Sequence, residues 1–597
     1  MNLAGYLTVL VLLGATVAFA VGRWRPDAIA VLVLLALLLL RLVDVPTGLA
    51  GFGNPALLTV AAVFVLSAAL ERAGIAAAIG RRIFALAGAS EPRLVLAFGL
   101  AGGLLSGVMN SLGAVAVLLP AAMATAREAR ISPSKLLLPL ALGTRLGGVL
   151  TLIAGPSNLI ASEALVRAGL RGFGLFEPLP VGGVFLLGGA VFMAVLGRRW
   201  LPSTTLPQPL RRGPLFDLYR LQERLFQLRL VKGSSLIGKT IAESDLGKSL
   251  GLTVVSITRG RHRIVAPRRG EVLRMGDTLG VAGRREELLH AGTLEAMGLE
   301  TVPDLARAQV ESANVRIVEV LPAPRSTLQG KTLREIGFRE KYGLTVLAIW
   351  REGQPRRTGL VDLPIQLGDA LLIQGERERI GILKRELDFL VLDGGDEEEV
   401  RPQAALWAVV AVAVMVSATT LGLLPLPVAT LLAAGIVVAA RCLPMEEVYQ
   451  AIDWRSLVFI GAMLPLGVAL TTSGAAGGLV SWALQRIGHT PLLALVTLLI
   501  AATILNQLMP SVAATVLLAP VALHVASSLG ANPHAFMMAV VAGTGTTFTP
   551  VGSPVNLLVM GPGGYRLGDY VRMGVPLAAF LLALGALVIP LAWPLGR

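Results

Sequence analysis

The sequence predicts a polytopic α-helical membrane protein. It reads as an inverted-topology repeat with two re-entrant hairpins, interrupted by a cytoplasmic α+β insert. Three observations predict this. The 597 residues are 54% hydrophobic and only 15% charged, and mean hydropathy is +0.72, a membrane composition. Two related segments, MNSLGAVAVLLP from Met109 and MPSVAATVLLAP from Met509, lie inside long uncharged stretches. Each is followed by a broken Gly/Pro/Asn segment, AGPSNL at 154–159 and VGSPVNL at 551–557. Interrupted apolar segments in corresponding halves of a membrane protein point to a carrier's binding site.

Residues 1–22 carry no charge, lack a basic leader and a small-residue cleavage site, and read as a first transmembrane helix. Residues 28–40 and 55–70 cross out and back. That places Arg23, Arg25, Arg72, Arg81, Arg82, Arg93, Arg127, Arg130 and Lys135 on one side, which the positive-inside rule makes the cytoplasm. The net charge of +14 is read the same way, and nucleic acid is excluded as a partner. The uncharged stretch 94–126 exceeds the roughly 20 residues of one span. Two half-length helices meeting at Asn110 fit it, as a hairpin re-entering from the cytoplasm. Residues 136–162 form a span carrying Arg145, and 178–197 another. This first membrane half covers 1–200.

The second half, 402–597, repeats the pattern with opposite sense. Residues 402–440 make two helices around Pro425 and Pro427, and 456–472 cross outward. Residues 490–530 return as a hairpin centred on Pro510-Ser511, and 534–560 cross inward in broken form. Ser111, Pro120 and Pro133 pair with Ser511, Pro520 and Pro533 at a spacing of 400. Pro156 and Asn158 pair with Pro554 and Asn556 at 398. Apolar helices share composition but seldom an ordered Pro/Ser/Asn series.

The polar insert holds a cleaner repeat. Gly238-Lys239-Thr240, Gly251-Leu252-Thr253-Val254, Gly276-Asp277 and Gly283 recur as Gly330-Lys331-Thr332, Gly343-Leu344-Thr345-Val346, Gly368-Asp369 and Gly375, always 92 apart. Each copy reads strand, short helix, strand, turn, strand, helix, giving small α+β domains at 213–300 and 310–394. Gly-Lys-Thr lacks the earlier glycine of a phosphate loop and reads as a turn into a helix.

Broken helices in a membrane expose backbone that is tolerated only beside a polar cavity or inside protein. Their N-termini suit an anion, and their freed carbonyls a cation such as Na⁺. The candidate substrate ligands are therefore Asn110, Ser111, Ser157, Asn158, Ser511, Ser553, Asn556 and Arg145. The candidate coupling-ion ligands are Asn110, Gly155, Asn158, Thr549, Gly552 and Asn556. The plainer alternative is that the small residues serve helix packing. No resident metal is expected beyond Na⁺. The single cysteine, Cys442, excludes an internal disulfide and a cysteine cluster. The five histidines lack metal-ligand spacing, and the acidic run Asp396–Glu399 reads as a solvated linker.

These residues resemble the divalent-anion:sodium symporter family of the ion-transporter superfamily, most strongly at 94–162 and 490–580. The insert is similar to two TrkA-C domains, as in the sulfate-permease-like branch. The resemblance implies a dimeric elevator-type carrier of sulfate, dicarboxylates or citrate, with hairpin tips and broken loops binding the dianion and its coupling ions. The family's tips usually carry Ser-Asn-Thr. Here they are Met109-Asn110-Ser111 and Met509-Pro510-Ser511. The resemblance therefore does not carry sodium coupling to these tips, above all in the second half. Arg145, costly at mid-span, has two readings. One is a fixed positive charge near the substrate in place of Na⁺. The other is a structural ion pair with Glu71 or Glu163.

The functional expectation is secondary active transport of a small divalent anion across the inner membrane, coupled to Na⁺ or H⁺, in a homodimer. The insert regulates or assembles it, with a small regulatory ligand as a further partner. The alternative is a ligand-gated channel, or a membrane sensor with vestigial transport. Nothing suggests an enzyme, and no Walker motif suggests an ATP-driven pump.

Overall fold

The computed structural model describes residues 3–21, 24–73, 87–129 apart from 89, 131–202, 402–487, 490–549 and 553–596. Within the insert it describes 225–282, 297–302, 315–322 and 326–391, with short gaps. Gly552, Arg23, Arg81, Arg82, Arg130, the run Asp396–Glu399 and the first residues of the expected 213–300 domain lie outside the described residues. The chain divides into two compact bodies: Met1–Ser203 with Glu397–Val559 and Arg566–Arg597, and Thr204–Asp396 with Met560–Tyr565.

The first half of the helical body runs α1 (Leu3–Val21), α2 (Pro26–Leu39), α3 (Val45–Ala50), α4 (Pro55–Arg72), α5 (Glu91–Ser106), α6 (Ser111–Ala129), α7 (Ser134–Gly147), α8 (Pro156–Arg167) and α9 (Leu179–Val195). Starts are set by proline at the first helical turn, where no N–H is needed. Pro26, Pro55 and Pro156 serve α2, α4 and α8. Asn54 caps α4, its Oδ1 accepting from the Ala56 N–H at 2.7 Å. Short insert helices are α10 (Leu333–Ile336), α11 (Phe338–Tyr342) and α12 (Arg377–Arg385). The second half runs α13 (Pro402–Thr420), α14 (Leu426–Ala439), α15 (Met445–Ala451), α16 (Trp454–Thr472), α17 (Ala475–Ile487), α18 (Pro491–Leu508), α19 (Ser511–Ser528), α20 (Pro533–Gly545), α21 (Pro554–Gly563) and α22 (Leu567–Ala592). Six stretches among the described residues are long and apolar enough to cross a membrane: Leu3–Val21, Val45–Arg72, Trp454–Thr472, Pro491–Leu508, Ser511–Ser528 and Leu567–Ala592. The protein is a polytopic helical membrane protein with a soluble insert.

The halves match element by element, and their packing is exchanged. α2 lies along α16 of the other half, and α14 lies along α4. Gly51 abuts the Gly461 carbonyl so closely that a Cβ would sit 2.1 Å from it, so this seam requires glycine. α5 packs on α7 through Gly99 and Gly103 facing Gly143 and Gly147, where a Cβ on Gly147 would lie 2.0 Å from the Gly103 carbonyl. Small residues four apart allow such close backbone contact.

Each hairpin is present as a helix pair, α5–α6 and α18–α19. The helices have 16, 19, 18 and 18 residues, about 24–28 Å at about 1.5 Å per residue. They are longer than the half-length helices expected from sequence. No proline lies inside α5 or α18 beyond the first turn, while Pro120 and Pro520 are accommodated inside α6 and α19.

The insert contains two antiparallel sheets. The first has β1 (Leu225–Leu230), β2 (Thr253–Arg259), β3 (His262–Val265), β4 (Thr278–Ala282) and β5 (Leu299–Val302), ordered β3-β2-β4-β1-β5. The second has β6 (Val315–Pro322), β7 (Thr345–Arg351), β8 (Gln354–Arg356), β9 (Ala370–Glu376) and β10 (Phe389–Val391), ordered β10-β6-β9-β7-β8. These are the same order, and both carry a bulge at one register, Val254/Ser256 and Val346/Ala348. Each copy has two strands more than the sequence pattern suggested, because the short β3 and β8 and the closing β5 and β10 carry little periodicity of their own. The Gly-Lys-Thr turn is explained by a capping box: Thr332 Oγ1 accepts from the Glu335 N–H at 3.2 Å, and Glu335 accepts from the Thr332 N–H at 2.8 Å. Thr240 and Glu243 repeat it at 3.2 and 2.9 Å.

Candidate functional site

In each half a helix stops and, after a short break, a second helix starts at proline; the described residues of the second break are 546–549 and 553. The first break separates α7 from α8 and the second α20 from α21. Backbone polar groups at such points need partners, and two asparagines supply them. Asn158 Nδ2 donates to the Thr151 carbonyl at 2.8 Å and to the Gly148 carbonyl at 2.8 Å. Asn556 Nδ2 donates to the Thr549 carbonyl at 3.0 Å. Both reach back seven residues, so the pair stands in equivalent places. Both are buried. Tyr570 Oη on α22 donates to the Asn556 carbonyl at 2.6 Å.

The first hairpin tip closes on itself. Asn110 Oδ1 accepts from the Leu112 N–H at 2.9 Å, and the Asn110 N–H donates to Ser67 Oγ at 3.1 Å. Ser111 Oγ lies 2.7 Å from Ser106 Oγ and donates to the Thr144 carbonyl at 3.3 Å, which ties the tip to α7. Thr151 Oγ1 donates to the Gly107 carbonyl at 2.5 Å. Ser111 and Thr151 thus join the first tip to the break that Asn158 holds, while Asn110 bonds within the tip and to α4. Gly155, extended at φ −151°, and Ser157 lie at the start of α8.

The second tip is held differently. Pro510 offers neither N–H nor side-chain oxygen, and Ser511 opens α19 with its carbonyl accepting from Thr515 Oγ1 at 2.9 Å. The break is held instead by Asn506 and Gln507 in the last turn of α18. Gln507 Oε1 accepts from the Phe548 N–H at 3.1 Å and Thr549 Oγ1 at 3.3 Å. Its Nε2 donates to the Thr503 and Thr546 carbonyls at 2.8 and 3.2 Å. Asn506 Nδ2 donates to the Thr546 carbonyl at 3.2 Å. Sequence reasoning missed both amides, although two adjacent carboxamides in an uncharged run are a visible signal. Ser553 and Asn556 stand beside this break, Thr549 inside it. Buried oxygens without a protein partner gather in this half: Asn506 Oδ1, Ser553 Oγ and Asn556 Oδ1.

Arg145 lies in the last turn of α7. Its Nη2 donates to the Thr544 carbonyl of α20 at 3.3 Å, while its Nε is buried without a partner. The small cavity beside it is lined by Leu142, Leu146, Gly545, Thr546, Thr547 and Leu577, among others. The ion-pair reading is not met: Glu163 bonds Arg167 at 3.1 Å and Asn54 Nδ2 at 2.9 Å, and Arg145 has no carboxylate partner among the described residues.

The citrate transporter family model, CitMHS, matches residues 16–543. Uncharacterized transporter YfbS of Escherichia coli (strain K12) is 33% identical over 97% of this chain and 98% of its own. Uncharacterized transporter sll0640 of Synechocystis sp. is 33% identical over 98% and 97%. Sodium/sulfate cotransporter 2 of Chlamydomonas reinhardtii is 23% identical over 62% of this chain and 43% of its own. The crystal structure of the Alcanivorax borkumensis YdaH transporter matches 94% of this chain and 90% of its own at 14% identity and a TM-score of 0.44. The match bears out the transporter kinship read from the sequence, and it leaves the divalent-anion:sodium symporter branch and the TrkA-C likeness of the insert as expectations. These relatives are transporters, not enzymes, and with the family model spanning most of its length the chain belongs to the CitMHS citrate transporter family.

Proposed function

We propose that the protein is a secondary active carrier of a small multivalent anion, sulfate or a di- or tricarboxylate. It works across the inner membrane with Na⁺ or H⁺ as coupling ion, by an elevator-type alternating-access motion. The observation that carries this reading is the matched pair of asparagine-pinned breaks, Asn158 to Thr151 and Asn556 to Thr549. A doubled, rigidly held interruption of the backbone is what a midplane site between two repeats requires. The anion takes donors from Asn110, Ser111 and Ser157 in the first half and from Ser511, Ser553 and Asn556 in the second. A coupling cation takes the buried oxygens of Ser553 and Asn556, joined by Asn506. The family's description as citrate transporter, and a relative described as a sodium/sulfate cotransporter, support the substrate class. We read the hairpins as re-entrant, the insert as two cytoplasmic TrkA-C-like domains that bind a small regulatory ligand, and the working form as a homodimer.

Uptake of [³⁵S]sulfate, [¹⁴C]citrate and [¹⁴C]succinate by purified protein in proteoliposomes, under imposed Na⁺ and pH gradients separately, tests this. Saturable uptake of one of them, driven by one gradient, is the expected result. Uptake of all three no faster than in protein-free vesicles overturns it.

A further inference from the structure

The two halves differ at one carbonyl, and Arg145 fills the difference. In an α-helix the N–H of residue i+4 pays for the carbonyl of residue i. In the first half this holds to the end: the Gly148 N–H donates to the Thr144 carbonyl at 3.1 Å, and Ser111 Oγ adds a second bond at 3.3 Å. In the second half the same step fails. The N–H four residues beyond Thr544 belongs to Phe548, and it donates to Gln507 Oε1 instead. The Thr544 carbonyl is left to a guanidinium from the opposite half, Arg145 Nη2 at 3.3 Å.

The sequence shows why. Thr144 precedes Thr151 by seven residues, but Thr544 precedes Thr549 by five. With two residues fewer, α20 unwinds early, and its cap residue Thr546 is already extended at φ −91°, ψ 118°. A helix end carries partial negative charge on its freed carbonyls, and in broken-helix carriers such carbonyls are where a cation sits. In the second hairpin tip Pro510 stands where the first has Asn110, so Met509-Pro510 brings no side-chain oxygen to a cation's shell. The position equivalent to Arg145 is Gly545, so the charge is present once and in this direction only.

We propose that Arg145 is a tethered cation. Its guanidinium permanently occupies the role of a coupling Na⁺ at the C-terminal end of α20, so the transport cycle needs one Na⁺ fewer than a carrier with two free cation sites. This rests on the carrier reading and deepens it. Arg145 acts on the substrate through the second break and is a positioning residue. The buried oxygens of Asn506, Ser553 and Asn556 remain for a mobile ion.

The test compares wild type with Arg145→Gly, Arg145→Gln and Arg145→Lys, each reconstituted at full length. Uptake of sulfate, citrate and succinate is measured across a Na⁺ series with choline as replacement, and again with guanidinium added. Arg145→Gly is expected to gain a cation requirement: uptake at low Na⁺ falls roughly ten- to a hundredfold and returns with Na⁺ or guanidinium. Arg145→Gln keeps a donor to Thr544 but no charge, so it should show the same cation requirement even if Arg145→Gly does not fold. Arg145→Lys should keep the wild-type cation dependence. Na⁺-dependence curves of Arg145→Gln that superimpose on wild type after scaling overturn the proposal, and so does loss of uptake that no cation restores. Na⁺-induced thermal stabilisation in detergent is a readout independent of transport. It is expected to be greater in Arg145→Gln than in wild type, and an equal shift overturns the tethered cation even where wild type carries none of the three anions.

Discussion

Arg41 and Arg441 stand 400 positions apart and are the only non-glycine residues at positive φ among the described residues, both at 53°. Each ends a helix in the same way. The Arg41 N–H donates to the Leu38 carbonyl and the Leu42 N–H to the Leu37 carbonyl, while Arg441 and Cys442 repeat this on Val438 and Val437. This is the Schellman closure, usually built on glycine. Two arginines held in one unfavourable conformation at equivalent places follow from a common backbone rather than from a chance resemblance of apolar helices. A left-handed non-glycine residue costs about 1 kcal/mol, partly offset by a positive charge at a helix C-terminus. Arg41→Gly and Arg441→Gly should therefore be neutral or slightly raise the melting temperature in detergent. Arg41→Val and Arg441→Val should lower it, because a β-branched side chain tolerates this conformation worse.

Asn158 holds two backbone carbonyls and Asn556 one. An unmet buried partner costs about 1–3 kcal/mol, so Asn158→Ala should destabilise the protein more than Asn556→Ala, by about one such increment. Fluorescence-detected thermal unfolding of the two variants checks the order. Both should abolish anion uptake, since each break loses its shape.

Gln507 uses both ends of its carboxamide on the second break. Gln507→Glu keeps the acceptor for the Phe548 N–H but loses the donors to Thr503 and Thr546. Gln507→Leu loses all of them. Uptake should fall in the order wild type, Gln507→Glu, Gln507→Leu, with an unchanged order if the assay is repeated at saturating anion. A Gln507→Leu carrier with wild-type uptake would contradict the role assigned to this residue.

The reach of sequence reasoning differs from residue to residue. Pro156 with Asn158, and Pro554 with Asn556, stand out because proline and a carboxamide are conspicuous in apolar surroundings, and a helix start needs the first while a freed carbonyl needs the second. The change of spacing from 400 to 398 was legible too. Its meaning was not, since the two missing residues act by releasing the Thr544 carbonyl to Arg145, a contact between positions 399 apart. Gln507 and Asn506 act on backbone about forty residues away, and no local periodicity encodes such a bond. In the insert, the repeat at 92 foretold two copies of one fold. The edge strands β3 and β8 are not legible in the sequence because four- and three-residue strands carry almost no alternation.

The capping box of the first insert copy gives a pH signature. The Thr240 N–H, then the Thr240 hydroxyl, hold the Glu243 carboxyl below its ordinary value. A carboxylate depressed in the folded state stabilises the fold above its unfolded pKa, and that stabilisation is lost as pH falls through the folded value. Glu243→Ala should therefore lower the insert's stability at neutral pH and flatten its dependence on pH across the acid range. Unfolding of the full-length protein, followed by limited proteolysis of the insert at pH 3–7, reads this.

A buried aspartate closes the Gly-Asp turn in each copy. Asp277 accepts from Arg259 Nε and Nη2 at 2.9 and 2.9 Å and from the Arg274 N–H at 2.9 Å. Asp369 accepts from Arg351 at 2.7 and 2.6 Å and from the Gln366 N–H at 2.8 Å. The aspartates are equally hidden, but the arginines are not: the Arg259 side chain is 26% exposed and that of Arg351 12%. Breaking a buried pair is costly chiefly through the charge left behind, about 3–5 kcal/mol when fully enclosed. Water reaches Arg259 more readily, so Asp277→Asn should cost less than Asp369→Asn. Proteolytic half-lives of the insert in the intact protein should fall in both variants, and further in Asp369→Asn. The reverse order would mean that the backbone bond to the turn, and not the arginine, carries the stabilisation.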